Sequence, residues 1–488
     1  MMDISSRPAA SEVRSRASSS LLARTGRSAH TFYFNTINAL LFVSTLAKRT
    51  FHEGRYRTIG KKWVNWNREY SCRPREYVQP QTEPEICRIV KNAKRLRVVG
   101  GGHSFNSSPL TEETLLSLDR YRAILSVDRE RRTVRVQAGV RLRELGEKLS
   151  GCGLALPCLG STNGQSIAGL VSTDLHGTGR DHGFLSEQVV SLRIVNSSGE
   201  AENFSRDSAV FRAAFGGIGC AGVVTEVELQ CVDSYRLRKT VKVISREEAE
   251  NHTDRFINEH DHVSFYYLGS IKCDRIRMNC WRRTTDADSP APVMNKLSTE
   301  LADLVISGYV FGLSQTLRCT TATYQLVARA IPFAYGSKGF VNDWHRSFPR
   351  KLYFSHDEME FGIPYENFRP CIRELMNLLE RRKFLSVIEV RFTPDCSRAL
   401  LGPGVGRRTC YIELAPSMSL DRSEVFSLAE ELLVRFGGQP HLGKKTSLNR
   451  QDMRRIYGER FDEFKKICRG QDPEGKFSNR FTETLFGG

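Results

Sequence analysis

The chain has 488 residues, 40% of them hydrophobic, and carries a formal net charge of +17. That length allows two or three domains with sizeable cores, and the basic excess attracts anions of any kind. No aromatic-interleaved basic stretch or nucleic-acid module signature occurs, so nucleic acid is not an expected partner. The 13 cysteines are odd in number and scattered without a C-x-x-C, which argues against a zinc ribbon or a disulfide framework and for a reducing compartment.

Residues 1–30 hold five arginines, eight serines and only two acids, Asp3 and Glu12. Arg-rich, Ser-rich, acid-poor composition reads as an organellar transit peptide. An uncharged stretch, Thr31 to Ala47, follows and ends at Lys48-Arg49. Its length is at or below that of a membrane span, so a signal-anchor, the end of a transit peptide and a surface-lying helix stay open. Residues 1–60 are therefore read as a targeting or membrane-contact extension. The destination expected is the mitochondrion or an organellar membrane, with a glycosome-like or peroxisome-like organelle or the cytoplasm as alternatives.

The folded body begins at Trp63-Val64-Asn65-Trp66. The apolar spacing predicts a helix over 83–95, a strand over 96–99, an alternating strand over 133–137 and an amphipathic helix over 141–150. A strand-rich run, 186–196, precedes a turn at Ser197-Ser198-Gly199, and 223–232 alternates again. Helices and strands interleave without strict βαβ regularity, which predicts an α+β fold, with a first domain over 61–235. Residues 236–438 read as a second domain, an antiparallel sheet flanked by helices. Its strands fall at 352–363, 385–393 and near 409–414, its helices at 367–382 and 422–436, and a loop-rich then helical stretch at 285–310. Residues 439–488 form a last segment with a helix near 449–468.

Two blocks carry the chemistry. In Val98-Val99-Gly100-Gly101-Gly102-His103-Ser104-Phe105-Asn106 a strand runs into three glycines and then polar residues. Glycines let the backbone approach a ligand closely, and successive free N–H groups in such a turn form an anion nest suited to a pyrophosphate. An ordinary turn has no need of the His103 imidazole, which can ligate, titrate or be alkylated. From Leu159 to Gly179 small and hydroxylated residues dominate, as in a chain that lies against a flat, polar-edged cofactor. Gly217-Ile218-Gly219-Cys220-Ala221-Gly222 matches G-x-G-x-x-G, but a helix-like run precedes it and a strand follows. That is the reverse of the dinucleotide order, so it is not read as a nicotinamide site.

Together these blocks resemble the flavin-binding domain of the vanillyl-alcohol-oxidase superfamily. More narrowly, the chain resembles its sugar-1,4-lactone oxidases, the family of the D-arabinono-, L-gulono- and L-galactonolactone enzymes. The likeness continues in Asp357-Glu358-Met359-Glu360-Phe361-Gly362-Ile363-Pro364, Glu389-Val390-Arg391, His441-Leu442-Gly443-Lys444 and Asp472-Pro473-Glu474-Gly475-Lys476-Phe477. It implies a two-subdomain FAD-binding domain, a cap domain over the substrate, and a last segment returning to the flavin site. His103 matches a histidine that many members link covalently to the flavin, although some relatives lack the bond. Gly100, Gly101, Gly102, Ser104, Phe105 and Asn106 would cradle the pyrophosphate. Ser166, Gly169, Ser172, Thr173, His176, Gly177 and Val224 would line the cofactor. Ser161 matches a serine near substrate in alditol oxidases. Gly160 matches the family's oxygen gate, where a small residue suits an oxidase. The chain departs from the family in Leu442, within an H-W-x-K pattern, and in Thr173-Asp174-Leu175-His176-Gly177, where T-G-T-H-G is usual.

In Ser386 to Phe392, Ile388, Val390 and Phe392 share one strand face, and Glu389 and Arg391 share the other, about 7 Å apart. By itself that pair reads as a solvated ion pair. The resemblance makes it the floor of the substrate site, with Lys444 as a second cation. The activity so implied is FAD-dependent oxidation of an aldono-1,4-lactone at C2, the last step of ascorbate or ascorbate-analogue synthesis. Glu389 would orient or deprotonate a hydroxyl, and Arg391 and Lys444 would stabilise the developing oxyanion. Molecular oxygen is the expected acceptor, giving hydrogen peroxide, with cytochrome c the alternative. A non-enzymatic basic binding protein is the remaining reading. No metal is expected.

Overall fold

The computed structural model describes residues 53–269, 274–286, 304, 338–349, 355–395, 397–416 and 422–487. The segment 31–47 and nearly all of the 285–310 stretch lie outside the described residues. Among the described residues no helix is long and apolar enough to cross a membrane.

The first half builds two small sheets. Leu96–Val99 pairs in parallel with Thr114–Ser117, which pairs in parallel with Glu76–Val78. The helix Glu83–Asn92 buries Ile86 and Val90 in one core with Leu96 and Leu116 of this sheet and Leu192 and Ile194 of the next, and Thr82 caps its N-terminus. The second sheet is antiparallel, in the order Ala201–Ser205, Val189–Val195, Val223–Gln230, Thr133–Gln137, Ile124–Asp128. Alternation explains it directly: Val134 and Val136 are buried, while Arg135 between them is exposed. One core of aliphatic and aromatic side chains joins both sheets to the helices Leu142–Gly151 and Ile167–Ser172.

The second half is an eight-stranded antiparallel sheet. Its order is Lys338–Asp343, Arg236–Ser245, Arg275–Thr284, His262–Gly269, Ser386–Thr393, Thr409–Pro416, Met359–Pro364 and Gln439–Pro440. The helices Phe368–Arg382 and Arg422–Arg435 bury Ile372, Leu375 and Leu433 in a core with Ile388, Val390 and Phe392. Of the run expected over 352–363, residues 352–354 lie outside the described residues, 355–358 are irregular, and the strand begins at Met359. The helix expected over 449–468 is two, Arg450–Tyr457 and Glu459–Gln471, broken at Gly458, whose φ of +56 no helix continues.

The last segment ties the halves together. The His441 and Lys445 N–H groups donate to the Glu360 and Glu358 carbonyls of the cap sheet. On the other side Phe105 N–H donates to the Gly443 carbonyl, and Asn106 Nδ2 donates to the carbonyls of Leu442 and Lys444 at 2.7 and 2.8 Å. Further on, the buried Lys476 ammonium donates to the carbonyls of Val90 and Ser197, both at 2.8 Å.

Candidate active site

A cavity lies between the halves. Both glycine-rich blocks line it, through Gly100 to Phe105 on one side and Ser161, Ser166, Gly169, Ser172, Thr173 and His176 on the other. Val224 lines it too, as do Arg391 and Lys444 from the cap side. Asn106, Gly160, Gly177 and Glu389 are not on its surface. Asn106 instead fixes the last segment, Gly177 packs against the Leu159 carbonyl, and Gly160 packs against Leu175. Ile218, Gly219 and Gly222 of the G-x-G-x-x-G stretch also border the cavity, although helix Ala209–Ala214 precedes and strand Val223–Gln230 follows them.

The nest has the form an anion requires. Gly101 and Gly102 carbonyls accept from the N–H groups of Gly54 and Trp66, and the Ser104 carbonyl accepts from Asn65. Among the described residues no acceptor is found for the N–H groups of Gly101, Gly102 or Ser104. The loop therefore presents donors and withholds acceptors, which suits a diphosphate. There is no room for side chains: a Cβ on Gly100 would lie 1.8 Å from Ser166 Oγ, and one on Gly101 2.6 Å from the Gly164 carbonyl oxygen. Ser166 is fully buried, and its hydroxyl accepts from Gly169 N–H at 3.2 Å. The residues present thus fit a dinucleotide cofactor.

The opposite wall is a row of charges. Antiparallel register sets Glu360 beside Glu413 and Glu413 beside Glu389, on three neighbouring strands. All three are nearly inaccessible. Like charges so placed repel, and two cations offset them. Arg391 Nη2 lies 2.6 Å from Glu360 and 2.5 Å from Glu413, with Nε 4.0 Å from Glu389. Lys444 Nζ contacts Glu358 closely and lies 2.9 Å from Glu413. The polar face of Ser386–Thr393 is therefore no solvated ion pair but part of a buried network. Burial alone would raise the Glu360 pKa, but Arg391, His176 and Lys444 hold it well below the carboxylate range. Burial likewise opposes the Lys444 charge, and Glu358, Glu413 and Glu360 overcome it and raise its pKa.

Two histidines complete this wall. His176 stacks on Tyr411 with ring centroids 3.5 Å apart, and its Nε2 lies 3.1 Å from Glu360. Burial pushes His441 down to about 3, so its imidazole is neutral at physiological pH. Its Nδ1 accepts from Gly443 N–H at 3.1 Å, which leaves Nε2–H as a donor. His176, Glu360 and His441 have ligand-like spacing for a metal ion. However, Arg391 and His176 already engage the Glu360 carboxylate, and Gly443 occupies the His441 lone pair. Sequence reasoning did not single out Glu358, Glu360 or Glu413 as site residues. Glu358-Met359-Glu360 carried the signal, since a two-residue step in extended chain sends both carboxylates to one face.

Asp174 shows how a departure from the family pattern is accommodated. Its φ is +48, the left-handed region where the usual glycine rests at no cost. Ser397 Oγ donates to its Oδ2 at 2.7 Å, and Ser186 also lies within hydrogen-bonding reach of the carboxyl. Burial pushes its pKa up to about 6. The folded chain thus keeps this proton to higher pH than the unfolded chain does, so stability falls as pH rises from 3.8 toward about 6. Asp174→Asn removes that loss. The variant is expected to melt higher than the parent above pH 6 and level with it below pH 4, in thermal scans across this window. Leu442, the other departure, is buried in the cap core.

Known proteins agree with this architecture. The family model described as D-arabinono-1,4-lactone oxidase matches residues 227–485, and one described as FAD binding domain matches residues 74–205. An L-gulono-1,4-lactone dehydrogenase of Mycobacterium tuberculosis is 29% identical over 432 residues, covering 87% of this chain and 99% of that one. An L-gulonolactone oxidase of Bos taurus is 29% identical over 445 residues, covering 88% and 98%. Among solved structures a solvent-stable cholesterol oxidase superposes with a TM-score of 0.69 at 17% identity, covering 87% and 97%, a likeness of fold. With more than half its length in the family match and a cavity that fits the cofactor, the chain belongs to the D-arabinono-1,4-lactone oxidase family of FAD-dependent oxidoreductases.

Proposed function

We propose that the chain oxidises an aldono-1,4-lactone of the D-arabinono, L-gulono or L-galactono series at its C2 hydroxyl. The 2-keto lactone then tautomerises to ascorbate or its five-carbon analogue, and molecular oxygen takes the electrons, giving hydrogen peroxide. What carries this reading is the convergence of Arg391 and Lys444 with buried carboxylates on the cavity that both glycine-rich blocks line. Bound FAD supplies the hydride acceptor. Arg391 and Lys444 stabilise the oxyanion as the C2 hydroxyl gives its proton to solvent in the open cavity, and the reduction of oxygen to hydrogen peroxide takes one proton back. Glu389, behind Arg391, orients the guanidinium. Ser161 and the His441 Nε2–H hydrogen-bond the lactone oxygens. His103 carries the covalent link to the flavin, and residues 1–60 direct the chain to the mitochondrion.

The test is anaerobic mixing of purified enzyme with each lactone in a stopped-flow spectrometer. Bleaching of the flavin band by at least one lactone is expected, and absence of bleaching with all three sinks the reading. Acid precipitation of the same sample tests His103: the colour is expected to stay with the pellet.

A one-electron carrier such as cytochrome c is a second reading, and one observation favours it. A Cβ on Gly160 would lie 2.8 Å from Leu175 Cδ1. The room that a small residue leaves at 160 is thus occupied by a side chain from elsewhere, one that itself lines the cavity. Leu175→Ala is therefore expected to speed reoxidation of the reduced enzyme by oxygen while lactone-driven reduction keeps its rate. Unchanged reoxidation would show that Leu175 does not guard the flavin.

A further inference from the structure

Arg97 lies in the strand Leu96–Val99, just before the glycine turn. It borders the cavity, yet the residue is only 4% exposed. A buried guanidinium is costly unless a partner offsets its charge. Among the described residues no carboxylate does so. Burial pulls its pKa down, and the Cys220 thiol beside it is the one group that opposes the fall. Three carbonyls hold the fork instead. Nε donates to Ser108 at 2.7 Å, Nη2 to Ile218 at 2.7 Å, and Nη1 closely to Phe477. These carbonyls come from three separate stretches: the loop after the glycine turn, the G-x-G-x-x-G turn and the last segment. Ser108, Ile218 and Phe477 all line the same cavity as Arg97.

The strand that carries Arg97 enters the glycine turn and Phe105 leaves it, so the turn stands between two groups of lining residues. On the Phe105 side is the charged wall, with Lys444 Nζ 4.9 Å from the Phe105 ring centroid. On the Arg97 side Leu96, Val98, Pro109, Ile218 and Phe477 make an apolar slot. The proposed function sets the flavin ring against the charged wall and the diphosphate at the turn, and the present inference rests on that reading. Adenosine, the remaining part of the dinucleotide, then falls to the slot. Its flat base suits apolar walls. Each nitrogen of Arg97 already serves a carbonyl, so its task there is to hold those walls.

We propose that Arg97 is the positioning residue that assembles the adenosine end of the cofactor cavity, drawing the Ser108, Ile218 and Phe477 stretches together, and that it thereby makes the chain prefer FAD to the mononucleotide FMN. The G-x-G-x-x-G stretch, which is no nicotinamide site, gains a place in flavin binding through its Ile218 carbonyl. The last segment gains one through Phe477.

The experiment uses the full chain with His103→Ala, so that binding is reversible whether or not the parent links its flavin. Apoprotein is titrated with FAD and with FMN, which shares the ring, the ribityl chain and one phosphate and lacks adenosine. In this parent FAD is expected to bind at least about tenfold more tightly than FMN, since its adenine buries further apolar surface. In Arg97→Met the walls are no longer held in advance, and the ligand must order them itself. FAD is then expected to weaken by about tenfold or more and FMN by less than about twofold. Phe477→Ala keeps the backbone carbonyl for Arg97 and removes one wall, so it gives the same test if the methionine variant does not fold. A parent without preference for FAD overturns the proposal, as does a preference that survives in both variants. Equal weakening of both flavins also overturns it, showing Arg97 to serve the fold at large. The titration contains no lactone, so failure of the catalytic reading shows in the anaerobic mixing and not here.

Discussion

Arg391→Met is expected to abolish lactone oxidation and to destabilise the fold at the same time. The guanidinium lies 2.6 Å from Glu360 and 2.5 Å from Glu413, and all three side chains are buried. Removing one partner of a buried ion pair leaves charge without compensation, which costs about 3–5 kcal/mol. Losing a donor to a developing oxyanion lowers kcat by at least about a hundredfold. These effects separate in a double variant. Adding Glu360→Gln to Arg391→Met removes one of the stranded carboxylates and recovers part of the melting temperature, yet turnover stays lost. Thermal melts and anaerobic lactone titrations of the two variants measure this. If the double variant regains activity together with stability, Arg391 is a structural residue, and the oxyanion role belongs to Lys444 alone.

Gly102→Ala is expected to yield protein that has lost most of its flavin. The residue has a φ of +68, which an alanine adopts at a cost of about 1–2 kcal/mol. The added Cβ would also lie 2.6 Å from Gly54 Cα and 2.8 Å from Gly54 N, backbone atoms that cannot swing aside. Relief requires the nest to shift, and with it the N–H groups that would meet the diphosphate. The visible spectrum and the flavin content per chain measure the outcome. A full complement of flavin in this variant would mean that the turn is a connector and no cradle.

Much of this was readable in the sequence because local patterns carry it. The strand into Gly100, the alternation of Thr133–Gln137 and the helix Phe368–Arg382 follow from period and glycine placement alone. The strands Arg236–Ser245 and Arg275–Thr284 were less legible, since arginines and lysines interrupt their apolar positions. Their pairing with each other over ten registered positions, rather than their own composition, makes them strands. The short helix Ile167–Ser172 hides in a block whose small residues suggest a loop, and its Ser166 cap is visible only once the turn is known. The carboxylate row was hidden for a different reason. Glu360, Glu413 and Glu389 come from three strands, and only register brings them side by side. An acid on a strand reads as solvated until its neighbours across the sheet are known.

The loop from His441 to Lys445 hydrogen-bonds on one side to the glycine turn proposed to cradle the cofactor and on the other to the strand that bears Glu360. Any ligand that stiffens one side of it must be felt on the other, and by thermodynamic reciprocity the influence is equal in both directions. Flavin bound at the nest would thus prepare the Lys444 ammonium for the lactone, and lactone in place would slow the release of a non-covalent flavin. The two sites are then halves of one cooperative unit, hinged on five residues near the end of the chain.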